Sequence, residues 1–304
     1  MVKLRKLILI GIGMFTTFTI FQLKAEAATI EGNVLSVTPV IHDGGEAGAS
    51  FYKLSNKSAQ QYKVQMIVEN MTSTGQRYVA EIQDAKTNES GQIVYMPKST
   101  KSGVRQFVKK KRVEGTLGAK QSKVISFKVK LPRSQSDKRT HLGGVVVMEK
   151  PKEDDQHSIS NQFKLVTSMT IADGSTETNK LESIRINKIV AGKYDQQPGY
   201  WLTVKNTSNK IINHVKYNLR VNQQALNNRG GETGVMTLIP NETAHIFVPS
   251  SQTSAQFKDV NLTLQKNHNH RTVNCTPRKI VHKKDRNVFS NFVNAMKSWR
   301  TLFK

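Results

Sequence analysis

Cysteine is almost missing from this chain. A single residue, Cys275, in 304 cannot close an internal disulfide, so stability has to come from packing and hydrogen bonds. Acidic residues are scarce as well: 22 Asp and Glu face 46 Lys and Arg, for a formal net charge of +24. The few carboxylates are scattered, and none stands beside a histidine and a nucleophile, which excludes acid–base catalysis as the reading and gives the expectation of a non-enzyme. Long apolar runs are confined to Leu7 to Phe21, short of the roughly 20 residues that span a bilayer. Helical apolar periodicity is missing from Ile30 to Met148, which excludes a helical core there.

Export is read from the first 27 residues. Lys3, Arg5 and Lys6 precede the apolar run, and Ala25-Glu26-Ala27 offers a small-x-small cleavage pattern. This describes a cleaved signal peptide, with an uncleaved membrane anchor as the competing reading. The mature chain stays strongly basic after losing Lys3, Arg5, Lys6, Lys24 and Glu26. Such a charge is drawn to nucleic acid, acidic lipid or phosphate-rich polymers, and export removes nucleic acid from the expected partners.

What is present is strand after strand. Tyr62, Val64, Met66 and Val68 alternate with Lys63 and Gln65, the period of two expected of a half-buried strand. Glu69 to Gly75 supplies turn chemistry before Tyr78 to Ile82. The polar tip Asp84 to Gln92 contains Gly91, suited to a positive φ before the chain returns as Ile93-Val94-Tyr95. Ile125, Phe127, Val129 and Leu131 share a strand face, and Leu142 to Met148 reads as a buried strand entered through a flexible or bulged Gly143-Gly144 pair that closes the first domain. Further strands are expected over Ile184 to Val190, Tyr200 to Val204, Ile211 to Val221, Ala244 to Val248 and Val260 to Leu264. In the third of these Val215, Tyr217, Leu219 and Val221 oppose His214, Lys216, Asn218 and Arg220.

Val204-Lys205-Asn206-Thr207-Ser208 echoes Val68-Glu69-Asn70-Met71-Thr72. Two copies of one plan or convergence on common turn residues would both account for the echo. The fold class is all-β: two tandem immunoglobulin-like β-sandwich domains after the signal peptide, with a basic tail. The expected boundaries are 1–27 signal peptide, 28–150 first sandwich, 151–160 charged linker, 161–265 second sandwich and 266–304 tail. From Thr263 to Lys304 there are ten Lys or Arg and one acid, Asp285, while Phe289, Phe292, Met296, Trp299 and Phe303 recur at helical spacing. Three readings stand: a basic amphipathic helix on an anionic membrane surface, a helix packed on the second sandwich, or a disordered end.

The densest charge cluster of the first domain is Lys109-Lys110-Lys111-Arg112. It reads either as a grip on polymer phosphates or carboxylates, with Arg112 making a bidentate contact, or as a solvated loop. Tyr95 and Phe107 are candidate glycan platforms or core residues. His214 and His245, on alternating strand positions, suit surface roles. His268, His270 and Cys275 are too loosely spaced to be assigned a metal, and no cofactor is expected.

Val37-Thr38-Pro39, Phe51-Tyr52-Lys53-Leu54, Val68-Glu69-Asn70, Thr87 to Tyr95 and Leu142-Gly143-Gly144-Val145 occur in an order that resembles the WxL-interacting proteins of Gram-positive surfaces. The resemblance covers about residues 30 to 250. It implies a non-catalytic protein of the cell wall or cell surface, with a peptidoglycan-binding first domain and a second domain that binds a WxL-type surface protein or a host protein. Asp43-Gly44-Gly45-Glu46 departs from the family pattern, and no membrane-spanning run follows the second domain. Neither Trp201 nor Trp299 is followed by leucine two positions on, so this is not a WxL protein itself. The alternative function is an extracytoplasmic assembly chaperone that binds client strands along a sheet edge.

Overall fold

Sixteen strands build two β-sandwiches in the computed structural model, with no α-helix among the described residues. Those residues are 34–40, 51–55, 60–131, 138–150, 164–221, 232–250 and 260–275. The expected signal peptide 1–27, the linker 151–160 and the aromatic positions Phe289, Phe292, Met296, Trp299 and Phe303 lie outside them.

The first sandwich consists of β1 (Leu35–Val40), β2 (Tyr52–Leu54), β3 (Gln61–Asn70), β4 (Gln76–Thr87), β5 (Ile93–Met96), β6 (Arg112–Leu117), β7 (Ser122–Lys130), β8 (His141–Glu149) and β9 (Lys164–Ile171). One sheet runs β1-β3-β7; the other runs β2-β9-β8-β4, with β5 and β6 sharing the far edge of β4. The alternation in β3 and β7 decides which face is buried: Tyr62, Val64, Met66 and Val68 meet Ile125, Phe127 and Val129 in one core with Tyr78, Ile82, Val145 and Met169 of the facing sheet. Central strands β4 and β8 are covered on both faces, and their burial is near-continuous rather than alternating.

Two expectations change here. Strand β9 lies beyond the expected boundary at 150, yet it pairs with β8 and, in parallel, with β2. Leu142–Met148 therefore does not close the first sandwich, because β9 carries the sheet one strand further. The Gly143-Gly144 pair is neither bulged nor loose. Both residues sit in regular register with β4 and β9, and they are glycines for room: a Cβ on Gly143 would lie 2.3 Å from Val104 Cγ2, and one on Gly144 would lie 2.8 Å from the Thr167 carbonyl oxygen.

The second sandwich consists of β10 (Ile184–Tyr194), β11 (Gln197–Asn206), β12 (Ile212–Val221), β13 (Glu232–Leu238), β14 (Thr243–Pro249), β15 (Val260–Lys266) and β16 (Asn269–Cys275). Its sheets are β10-β11-β14 and β13-β12-β15-β16, closed over Ile184, Leu202, Val204, Val215, Leu219, Met236, Ile246 and Leu262. Strand β16 corrects the expected start of the tail at 266. The turn at Asn267, whose φ is 53°, folds Asn269–Cys275 back onto β15 as an edge strand, which the abundance of basic residues concealed. His214 stands at a β-bulge in β12 with φ of 49°.

The echo between the two domains is structural. Asn70 and Asn206 are both fully buried. Asn70 donates through Nδ2 to the carbonyls of Thr74 and Gly118, each at 2.7 Å, and accepts at Oδ1 from Thr72 N and Oγ1. Asn206 donates to the carbonyls of Lys210 (2.8 Å) and Leu238 (3.0 Å) and accepts from Ser208 N and Oγ. One side chain thus ties a strand end, its own turn and a neighbouring segment together in each sandwich.

The sandwiches meet through the tip of the β4–β5 hairpin. Asn88 Oδ1 accepts from Ser90 N and Gln92 N and shapes the tip, and Gly91 takes φ of 80°, as its place in the turn requires. Thr237 N donates to the Gly91 carbonyl (2.9 Å), Phe247 N to the Glu89 carbonyl (2.7 Å) and Thr87 Oγ1 to the Thr237 carbonyl (2.6 Å). Ser102 Oγ reaches the Pro240 carbonyl at 2.6 Å. Ala85 and Leu142 of the first sandwich pack with Ile211 and Ile239 of the second. Burial pushes the Glu242 carboxyl at this junction above its usual range; Thr100 and the Ser102 amide pull it back, Asp84 adds to the rise and Lys86 opposes it.

Candidate anionic-polymer site

The segment carrying Lys109 to Arg112 crosses from one sheet of the first sandwich to the other, and a buried carboxylate holds it. Asp84, 1% exposed, accepts from Thr100 N and Arg105 N, each at 2.8 Å. Arg105 begins a 3-10 turn, Arg105–Phe107. Its Nη1 donates to Glu81 Oε1 at 3.0 Å and also to the Ile82 carbonyl, so the guanidinium lies in the gap that β5 and β6 leave along β4. Ile82 N then donates to the Lys111 carbonyl at 2.8 Å.

The consequence is register. Val108 forms an antiparallel bridge with Val129 of β7, and both side chains are buried. Lys109 therefore falls beside Lys128, and Phe107 beside Lys130. Lys109, Lys110, Lys128 and Lys130 are exposed. Across the sheet, Lys63 of β3 stands directly opposite Lys128 and is exposed too. Like charges on opposed positions, with Cβ atoms about 5 Å apart, cost stability. Among the described residues of β3 and β7 no carboxylate interrupts this end of the outer face: the intervening ones are Gln61, Gln65 and Ser126, and Glu69 lies at the far end opposite Ser122. The arrangement is a ridge of four lysines, Lys63, Lys109, Lys128 and Lys130, with Lys110 exposed next in the chain, able to neutralise a row of phosphates or carboxylates.

The predicted cluster is thus split. Lys109 joins the ridge, Lys110 is exposed next to it in the chain, and Lys111 is half-buried and lends its carbonyl to β4. Arg112 turns onto β6, where its Nε donates to Glu114 Oε1 at 2.7 Å. Lys150 Nζ also reaches Glu114 at 3.0 Å, and first Lys150, then Arg112, hold the Glu114 carboxyl below its usual range against the opposing effect of burial. The two aromatic candidates are structural. Phe107 packs on the core and meets His141 edge to face at 4.8 Å, and Tyr95 crosses β8 so that its hydroxyl pairs with Ser168 Oγ at 2.7 Å. Lys63, Lys128 and Lys130 escaped the sequence reading, although their period-two spacing was its signal.

His268 and His270 flank Asn269 at the β15–β16 turn and are exposed. Among the described residues, no group of three His, Cys, Asp or Glu could hold a metal ion, and no helix is long and apolar enough to cross a membrane.

Residues 35–149 match the family described as WxL Interacting Protein, peptidoglycan binding domain. The resemblance read from the sequence holds over this stretch. No curated protein matches the chain. Among solved structures, the YadV chaperone is similar at 9% identity over 80% of this chain and 99% of its own, with a TM-score of 0.36. The CsuC–CsuE chaperone–adhesin pre-assembly complex from Acinetobacter baumannii gives 12% identity, 81% and 99% coverage and 0.37. The E. coli chaperone DraB gives 12%, 80%, 96% and 0.33. At these scores the likeness carries no argument for an assembly chaperone.

Proposed function

We propose that the protein is a non-catalytic cell-surface binding protein. Its first sandwich holds peptidoglycan through attached or neighbouring anionic polymer, and its second engages a WxL-type surface protein or a host ligand. The observation that carries the reading is the coincidence of the lysine ridge with the domain that matches a peptidoglycan-binding family. A peptidoglycan-binding family supports a wall-associated, binding role, and the ridge supplies chemistry suited to phosphate or carboxylate.

The test is co-sedimentation of residues 28–304 with peptidoglycan that carries or lacks teichoic acid, across a salt series. Lys128→Glu is the companion variant, because a glutamate there faces Lys63 and offers a cross-strand pair that keeps the fold. The ridge reading expects binding that weakens with salt and drops severalfold in Lys128→Glu. Binding to stripped wall that survives high salt and ignores Lys128→Glu would refute the ridge and point to a glycan or stem-peptide site elsewhere in the first sandwich.

A further inference from the structure

The outer face of the β10-β11-β14 sheet carries an aromatic cluster. Strand register places Val190, Trp201 and Phe247 in one row, on the side opposite the core residues Leu202, Ile246 and Val248. Tyr194, at the end of β10 before a turn in which Asp195 and Gln196 both take positive φ, completes the cluster. Its ring centroid lies 5.5 Å from Trp201 at 83° and 5.5 Å from Phe247 at 40°, and Trp201 and Phe247 are 5.1 Å apart.

In the next row on this face the β10 and β11 positions are glycines, with Pro249 of β14 beside them. Gly192 pairs with Gly199, and the rings lie over both: a Cβ on Gly192 would be 2.9 Å from Trp201 Cδ1, and one on Gly199 would be 2.6 Å from Phe247 Cζ. The Trp201 and Phe247 rings thus reach over the two glycines, tilted 56° to one another, and Tyr194 meets the indole edge to face. Trp201 and Tyr194 are half-buried, so part of each ring meets solvent.

The border of this corner is cationic and hydrogen-bonding. One row beyond Trp201, about 6.7 Å along the strand, come Lys188, Thr203 and His245, with Thr203 Oγ1 and His245 Nδ1 paired at 3.2 Å. Arg185 and Lys205 form the row after that. Strands β10, β11 and β14 contain no Asp or Glu; the acids nearest this corner are Asp195 in the turn after Tyr194 and Glu89, whose carbonyl accepts from Phe247 N.

We propose that this face is a binding site for an acidic polysaccharide. The electropositive C–H face of a pyranose packs on the electron-rich indole face, Thr203 and His245 offer hydroxyl partners, and a carboxylate or sulfate on the stacked or next sugar reaches Lys188 and Lys205. Charge complementarity selects this occupant, since the charged residues of these three strands are all basic and would repel a basic partner and leave a neutral glycan indifferent to the lysines. This goes beyond the function proposed above, which does not depend on it.

The test uses residues 28–304 carrying Trp299→Phe, so that Trp201 is the sole tryptophan. Tryptophan emission and calorimetry are followed with hyaluronan and heparin hexasaccharides, an acidic polysaccharide released from bacterial wall, and neutral chitohexaose. The site expects at least one acidic ligand to shift Trp201 emission and to bind tenfold or more tighter than chitohexaose. The same ligand should weaken about tenfold in Trp201→Ala and in Lys188→Glu/Lys205→Glu, and stay unchanged in Lys128→Glu. The host-type and wall-derived arms identify the source. Equal affinity for chitohexaose, undiminished binding in Trp201→Ala with native circular dichroism, or no emission change with any of these ligands would overturn the proposal. Sole engagement of the face by a protein ligand, competing with none of the saccharides, would do the same.

Discussion

Replacing Asn206 by Asp swaps one atom for another of the same size and inverts what that atom can do. In the native corner Nδ2 donates to the carbonyls of Lys210 at 2.8 Å and Leu238 at 3.0 Å, while Oδ1 accepts from Ser208. A carboxylate keeps the acceptor half and turns the donor half into an oxygen facing two carbonyl oxygens. Each buried carbonyl left without its donor costs about 1–3 kcal/mol, so the expected loss is about 3–5 kcal/mol at pH 7 with some relaxation of the turn. The sign of the pH dependence is specific. The ionised form is the disfavoured one, so the folded-state pKa of the new Asp rises above the unfolded value of about 3.9. The folded state then holds more protons than the unfolded state, and stability falls as pH rises through that window. At low pH the protonated carboxyl can donate to one of the two carbonyls, and the penalty relative to wild type shrinks. Urea unfolding followed by Trp201 emission, in the Trp299→Phe background, measures this at pH 4 and pH 7. A penalty below about 1 kcal/mol at pH 7, or one equal at both pH values, would refute the hydrogen-bond reasoning. Asn70→Asp in the first sandwich carries the same sign.

Asp84→Ala removes two bonds from buried N–H donors to a carboxylate, worth roughly 1.5–3 kcal/mol each. About 3–5 kcal/mol should be lost, and the surviving folded protein should bind wall polymer more weakly because Lys109 and Lys110 lose their register. Unchanged wall binding by folded variant would separate Asp84 from the ridge. Gly91→Val adds a Cβ 2.9 Å from the Val235 carbonyl oxygen at a φ of 80°. One to three kcal/mol of strain is the expected order, and differential scanning calorimetry should show the two sandwiches melting apart; a single unshifted transition would contradict the role given to the hairpin tip. Glu242→Gln tests the raised carboxyl at the junction. A raised folded pKa means stability present at low pH and lost as pH climbs through it, so the variant should melt higher than wild type near pH 8 and no higher near pH 4. An advantage of equal size at both pH values would sink the assignment.

Faces were legible wherever a strand had one wet side. Tyr62 to Val68, Ile125 to Val129 and Val215 to Leu219 are buried on the predicted faces because period-two alternation encodes them locally. The Asn70 and Asn206 echo was legible for the same reason: the partners two and four residues on lie in the same turn. Sheet membership was not. Lys164–Ile171 alternates like any strand, and nothing local says that it pairs with β8 and β2. The ridge depends on one bridge, Val108 to Val129, and the aromatic corner on the joint register of β10, β11 and β14. The Arg112–Glu114 pair was not read, although the two lie two residues apart. In a strand, i and i+2 share a face, so Arg112 and Glu114 were placed to pair once β6 was known to be a strand.

The distribution of charge follows from the sandwich architecture. Inner faces are closed to bases by the cost of burying a charge, so a large excess of Lys and Arg has to stand on outer faces and loops, where opposed lysines cost only tenths of a kcal/mol in water. Cores of the size seen here carry that cost easily, and the surplus charge becomes available for binding. The hairpin tip and the apolar junction tie the sandwiches together, so if the two proposed surfaces both bind polymer, engagement of one raises the effective concentration of the other, and a long anionic chain is the ligand on which that linkage would have most effect.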